Sequence, residues 1–152
     1  MSFTYKHVGV ADLPVLKALL RVFGEAFGEP DTYGAHVPDD AYLCGLLGKP
    51  HFIALAALAG DDVVGGLAAY VLEKFEQARS EVYIYDLAVL EPHRRKGVAT
   101  GLIRTLQRIA KERGAYVIYV QADPPDEPAI KLYESLGERE EVLHFDIPVG
   151  RD

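Results

Sequence analysis

Apolar residues recur at two periods along this chain, and the switches between them draw its elements. Phe3-Thr4-Tyr5-Lys6-His7 alternates and predicts a first strand. Leu16, Leu19, Leu20 and Phe23 then follow the helical period, with Asp12 as cap and Pro14 in the first turn. Residues 28–34, which include Gly28, Pro30 and Gly34, break that helix, and a short second helix is expected over 39–47, opened by Asp39 or Asp40. Residues 52–58 and 63–72 read as the arms of a hairpin around Gly60-Asp61-Asp62. Gly65-Gly66 in the second arm predicts a bulge or a close backbone approach. Residues 81–90 form a long strand. Over 97–113, Val98, Leu102, Leu106, Ile109 and Ala110 share a helix face, and Gly114 ends the helix. Residues 115–122 are almost continuously apolar, as in a strand covered on both faces. Asp126 caps a last helix whose buried stripe is Ala129, Leu132, Tyr133 and Leu136, closed by Gly137. Leu143, Phe145 and Ile147 alternate with Val142, His144 and Asp146, predicting a final strand.

Early hairpins and late crossovers imply an α/β chain with a mixed sheet and helices on both faces. The 152 residues show no repeat or linker, so a single domain over 1–152 is expected, and 49% apolar residues suffice for a core. The net charge of −7 argues against nucleic acid and leaves room for a cationic ligand. Cys44, the only cysteine, lies among Tyr42, Leu43 and Leu46 and reads as a small core residue. The N-terminus has no signal-peptide pattern, and no run approaches the ~18 apolar residues of a membrane span, so a cytoplasmic protein without membrane contact is expected. The histidines His7, His51, His93 and His144 show no ligand spacing, so no metal is expected.

The most informative join is Val89-Leu90-Glu91-Pro92-His93-Arg94-Arg95-Lys96-Gly97-Val98-Ala99-Thr100. A strand ends, Pro92 turns the chain, and a helix begins near Gly97. Helix N-termini carry free N–H groups and partial positive charge, so they attract phosphate oxygens. Gly97 and Ala99 let an anion approach the backbone, while Arg94, Arg95 and Lys96 add cationic donors. Arg94-x-x-Gly97-x-Ala99 in this setting resembles motif A of the GCN5-related N-acetyltransferase superfamily, and the element order resembles that fold. The resemblance implies acetyl-CoA as donor, with CoA as product, and its pyrophosphate on residues 94–100. It also implies a mostly antiparallel mixed sheet with a splayed central strand pair. The strand carrying Leu87, Ala88 and Val89 would part from residues 115–122, and the pantetheine arm would lie in the gap. The last helix, 128–136, with Pro128 and Lys131, would flank the thiol end.

Longer strings resemble the class I aminoglycoside 3-N-acetyltransferases. They are Phe52-Ile53-Ala54-Leu55-Ala56-Ala57, Leu72-Glu73-Lys74-Phe75-Glu76-Gln77, Glu81-Val82-Tyr83-Ile84-Tyr85-Asp86-Leu87-Ala88-Val89, Gly114-Ala115-Tyr116-Val117-Ile118-Tyr119-Val120-Gln121-Ala122-Asp123 and Glu140-Glu141-Val142-Leu143-His144-Phe145-Asp146-Ile147. This similarity runs from about residue 23 to 147. It implies a polycationic aminoglycoside as substrate, a role in antibiotic resistance, and compatibility with a homodimer, for which the last strand could supply an interface.

Amine acetylation needs a base, because an ammonium has no lone pair. Asp86, a carboxylate among Tyr83, Ile84, Tyr85 and Leu87, is costly to bury unless used or paired, and burial raises its pKa toward a useful range. The resemblance points to the same residue. A backbone N–H near Leu87 should meet the oxyanion. Tyr133 is the candidate acid, and it equally fits the buried stripe of its helix. The acidic residues Glu76, Glu81, Asp123, Asp126 and Glu127, with Asp86, Tyr33 and His36, are expected around the acceptor through the resemblance; each alone would read as a solvated charge or a cap. Two other readings stay open: acetylation of another cationic amine, such as a polyamine or peptide lysine, and a non-catalytic CoA-binding module.

Overall fold

The computed structural model describes residues 2–29 and 31–150; Pro30, in the expected break after the first helix, lies outside them. Two compact units divide the chain, one ending at Gln121 and the other beginning at Ala122. The first holds a five-stranded sheet in the order β1 (Thr4–His7), β2 (Phe52–Ala59), β3 (Asp62–Glu73), β4 (Ser80–Val89) and β5 (Ala115–Val120). Neighbours from β1 to β4 are antiparallel, and β5 joins β4 in parallel. Helices α1 (Leu13–Phe27) and α2 (Asp40–Leu47) pack on one face and α3 (Val98–Glu112) on the other. The mixed sheet flanked by helices is the one expected.

Burial on both faces explains why β2 reads as one apolar run. Phe52, Ala54 and Ala56 pack with Leu16 of α1 and Leu43 of α2, and the small alanines let those helices approach. Val98, Leu102, Leu106, Ile109 and Ala110 are the buried stripe of α3, as the periodicity predicts. Asp39 caps α2, accepting the Tyr42 N–H at 2.8 Å. Asp12 precedes α1, but its carboxylate accepts the Gly9 N–H at 2.9 Å and closes a short 3-10 turn, Val10–Asp12, that leads into the helix. Gly28, left-handed at φ 65°, ends α1.

Three glycines have no room for a side chain. A Cβ on Gly65 would lie 2.9 Å from the Ala88 carbonyl oxygen. A Cβ on Gly66 would lie 2.3 Å from Leu19 Cδ1 and 2.4 Å from the Leu55 carbonyl oxygen. A Cβ on Gly101 of α3 would meet the Tyr5 ring and hydroxyl of β1. Close approach is therefore the use of Gly66, while the neighbouring bulge falls on Val64: Ala57 pairs Gly65 and Leu58 pairs Val63.

A second bulge decides the site. Ala68 pairs Asp86 and Ala69 pairs Ile84, so Tyr85 is an extra residue in β4. One inserted residue inverts the alternation of all that follows. Ile84 is thereby buried on the α3 side, while Asp86 emerges on the α1 side beside Ala68.

Two strand expectations are corrected. β5 stops at Val120, short of residue 122, and it is not covered on both faces, since Tyr116, Val117 and Tyr119 are exposed. A strand at the end of a sheet lacks one neighbour, whatever its composition. The final strand does not form: residues 138–150 have no regular structure, and Leu143, Phe145 and Ile147 are exposed. Alternation supplies the faces of a strand but not the partner that its N–H and C=O groups require, and among the described residues of the second unit no strand forms to pair with it. That unit's regular element is α4 (Glu127–Leu136), capped by Asp126, which accepts the Ala129 N–H at 3.3 Å. Its expected stripe is only half buried at Ala129, Leu132, Tyr133 and Leu136. A pair of Arg139 ion contacts, to Glu134 at 3.7 Å and Glu141 at 2.8 Å, lies beside the helix end.

Candidate active site

The loop after β4 is built to present donors. Leu90 N–H bonds the Val64 carbonyl at 2.8 Å, and Glu91–His93 forms a 3-10 turn. Arg94 folds back, its Nε donating to the Val89 carbonyl at 2.8 Å. Arg95 and Gly97 both take left-handed backbone, at φ 63° and 81°. That conformation is costly for an arginine and free for a glycine, and alternating handedness turns successive N–H groups into one concavity. Gly97 then caps α3. The N–H groups of Val98, Ala99 and Thr100 have no acceptor within the helix; the Gly101 N–H reaches the Gly97 carbonyl at 2.9 Å. No acidic residue occupies the first turn of α3, and Arg94, Arg95 and Lys96 are exposed around it. This donor set fits the pyrophosphate of a CoA thioester.

Beside the loop, the parallel ladder between β4 and β5 ends at Ile84 and Val120, leaving residues 85–89 unpaired on that edge. Because Leu90 N–H points to β3, alternation turns the N–H groups of Leu87 and Val89 toward the open edge. Ala88 between them is buried against Leu19 and Phe23 of α1.

Asp86 stands at this opening, half buried, in the wall of an apolar recess with Leu16, Leu20, Phe52, Tyr70 and Tyr85. Burial raises its pKa, a hydrogen bond from Tyr33 works against the rise, and the Glu29 charge adds to it. The Tyr33 hydroxyl donates to Asp86 Oδ2 at 3.1 Å. Tyr33 belongs to one wide helical turn, Asp31–Ala35, and its ring packs against Phe23 and Phe27 with centroids 6.0 and 5.7 Å away. Burial and the Asp86 charge push the Tyr33 hydroxyl well above its ordinary pKa, so it stays a donor. Tyr33 and Asp86 are thus brought together from 53 residues apart. His36 is exposed just beyond that turn.

The other expected acceptor residues are less free than their charges suggested. Glu81 on β4 receives Lys74 at 3.3 Å and the Tyr116 hydroxyl at 2.7 Å, which hold its pKa down, and Glu76 contacts the same lysine at 3.4 Å. Asp123, Asp126 and Glu127 belong to the second unit. Asp123 lends its carbonyl to the Asp126 N–H, Asp126 is spent as a cap, and Glu127, Pro128 and Lys131 are exposed on the first turns of α4. In that unit Tyr133 has its pKa raised to about 12 by burial and by Asp126, so it carries its proton at neutral pH. Sequence reasoning missed Tyr70, Tyr119 and Glu29 as neighbours of the site; the repeated tyrosines at positions 83, 85 and 119 were the available signal. Among the described residues no group of three or more metal-ligating side chains is assembled, and no helix is long and apolar enough to cross a membrane.

A donor-rich loop opening a helix, unpaired strand N–H groups beside it and a half-buried carboxylate make up the candidate acyl-transfer site. Residues 16–137 match the model of the acetyltransferase (GNAT) family, so the chain belongs to that family, an N-acetyltransferase with acetyl-CoA as donor. Its sequence is 55% identical to an aminoglycoside acetyltransferase, HMB0005, from an uncultured soil metagenomic sample, with a TM-score of 0.97 over 99% of this chain and 100% of that one. A second soil aminoglycoside acetyltransferase, meta-AAC0020, solved with sisomicin, is 31% identical with a TM-score of 0.90 over 97% of each chain. Rat N-acetyltransferase 8B is 27% identical over 59% of this chain, which spans 40% of that relative's length.

The loop yields a prediction. Gly97→Ala forces a Cβ into left-handed backbone, at a cost of about 1–2 kcal/mol. If the loop relaxes to escape it, KM for acetyl-CoA rises roughly tenfold while kcat changes little. Initial rates against acetyl-CoA concentration check this.

Proposed function

We propose that this protein acetylates an amine of an aminoglycoside, at its 3-amino group, by direct attack on the thioester, and so confers resistance to the antibiotic. The observation that carries this reading is the half-buried Asp86 on the stretch of β4 left unpaired beyond Ile84, among tyrosines, in a chain of net charge −7. Its likeness to the two soil aminoglycoside acetyltransferases supports it.

Acetyl-CoA supplies the acetyl group as a thioester, gripped through the loop donors. Asp86 takes the proton of the attacking amine, directly or through a water. The Leu87 N–H, unpaired on the open edge of β4, donates to the oxygen on which charge develops. Tyr133, protonated at neutral pH, is assigned as donor to the leaving sulfur. Glu76, Glu81, Asp123, Glu127 and His36 are assigned to the polycation's outer amines, Glu81 after exchange with Lys74.

Steady-state CoA release by purified protein tests the substrate class. Sisomicin and gentamicin should be turned over with far higher kcat/KM than spermidine or a lysine peptide. The reverse ranking rejects the aminoglycoside in favour of another cationic amine.

Tyr33 supplies a pH prediction. The groups around Asp86 are Tyr33, Glu29, Tyr70, Tyr83 and Tyr85. Among them the Tyr33 hydrogen bond lowers the Asp86 pKa. In Tyr33→Phe that stabilisation of the ionised base is gone, so the acid limb of kcat/KM moves to higher pH. A pH–rate profile whose acid limb stays in place contradicts this role.

A further inference from the structure

We propose that Tyr70, Tyr83, Tyr85 and Tyr119 form a stacking shelf that takes one ring of an amino sugar and sets its amine against Asp86. The proposal deepens the aminoglycoside reading and rests on it.

The shelf is a product of the second bulge. As the extra residue of β4, Tyr85 is thrust out and is 61% exposed, although it is flanked by Ile84 and Asp86. It remains on the α1 face, lining the same recess as Asp86 and Tyr70. Tyr83 and Tyr119 pair across the parallel ladder and stack, with centroids 4.8 Å apart and planes 20° apart. The Tyr83 hydroxyl is fixed by a 3.1 Å bond to Gln121 Oε1. Tyr85 meets Tyr70 at 6.0 Å and Tyr83 at 6.1 Å, both edge-on, at 81° and 74°. With most of its surface exposed, the Tyr85 ring keeps area open to a ligand beside these neighbours.

Exposed aromatic rings grouped beside a carboxylate mark a binding surface rather than a packing defect. The occupant follows from the chemistry. A π face attracts both C–H groups and cations, and phenol hydroxyls add hydrogen bonds. A protonated amino sugar offers an apolar ring face, ammonium groups and hydroxyls together. A linear polyamine offers charge without a ring face, and a peptide lysine offers one charge on a flexible stem. The Asp86 carboxylate at the edge of the shelf matches the positive charge. The shelf therefore selects rings, where carboxylates alone would accept any polycation.

The test is a set of substitutions assayed with sisomicin. Tyr85→Leu and Tyr119→Leu should each raise KM for sisomicin several-fold to tenfold, with KM for acetyl-CoA within about twofold of wild type, as loss of one exposed cation–π contact allows. Tyr85→Phe and Tyr85→Trp keep a π face and should restore most of the affinity, which a change of folding would not. Unchanged sisomicin KM in both leucine variants, or a loss in Tyr85→Phe equal to that in Tyr85→Leu, overturns the shelf while leaving aminoglycoside acetylation intact. Absence of sisomicin turnover by wild type overturns both.

Discussion

Asp86→Asn is expected to lower kcat with an aminoglycoside by ~10²–10⁴-fold, the usual contribution of a positioned general base, and to leave KM for acetyl-CoA nearly unchanged. Asparagine keeps the shape of aspartate and can still meet the Tyr33 hydroxyl, but it cannot accept a proton. The same substitution makes a distinctive stability prediction. The folded pKa of Asp86 is raised, chiefly by burial. The native state therefore holds its proton more tightly than the unfolded chain does. Stability from this group is fully present below the unfolded pKa and is lost as pH rises through the folded one. At neutral pH the ionised carboxylate is a burden on the fold, so Asp86→Asn should keep or raise Tm. Lost activity with an undiminished Tm, by thermal unfolding followed by circular dichroism, separates a functional carboxylate from a structural one. A fall in Tm would mark Asp86 as a structural hydrogen-bond acceptor.

Gly66→Ala should be the most damaging single methyl in the sheet. The added Cβ meets Leu19 Cδ1 at 2.3 Å and the Leu55 carbonyl oxygen at 2.4 Å. A leucine methyl can swing aside, but the Leu55 carbonyl belongs to the backbone of β2, paired on both sides by β1 and β3. Overpacking of this kind costs about 1–3 kcal/mol or more, and a chain of this length loses roughly 2–4 °C of Tm per kcal/mol. A drop of about 5–10 °C is expected for Gly66→Ala. Gly45 of α2 is the control: a Cβ there meets nothing within 4 Å, and Gly45→Ala should raise stability by about 0.5–1 kcal/mol. Equal Tm values for the two variants would contradict the packing at Gly66.

The local features of the chain were legible because their causes are local. The helical period of Leu16, Leu19 and Phe23, the capping of α2 by Asp39 and the basic turn ending in Gly97 each fit within a few residues. The pairing of the phosphate-type loop with a strand and helix followed from order alone. Features that depend on a distant partner were not legible. Alternation over 142–147 looked like a strand, but forming one needs a neighbour, and the described residues of the second unit supply none. The bond between Tyr33 and Asp86 spans 53 positions. The extra residue at Tyr85, which decides the face on which Asp86 emerges, shows only in the register against β3. Charge counting likewise overstated Glu76 and Glu81, since Lys74 is supplied by the same hairpin.

The most direct measurement is the structure of the product. Wild-type protein incubated with acetyl-CoA and sisomicin should yield a singly acetylated antibiotic by mass spectrometry, with the acetyl group on the 3-amino nitrogen by two-dimensional NMR. Unmodified sisomicin, from protein that still binds CoA, would contradict the account and leave a CoA-binding module in its place.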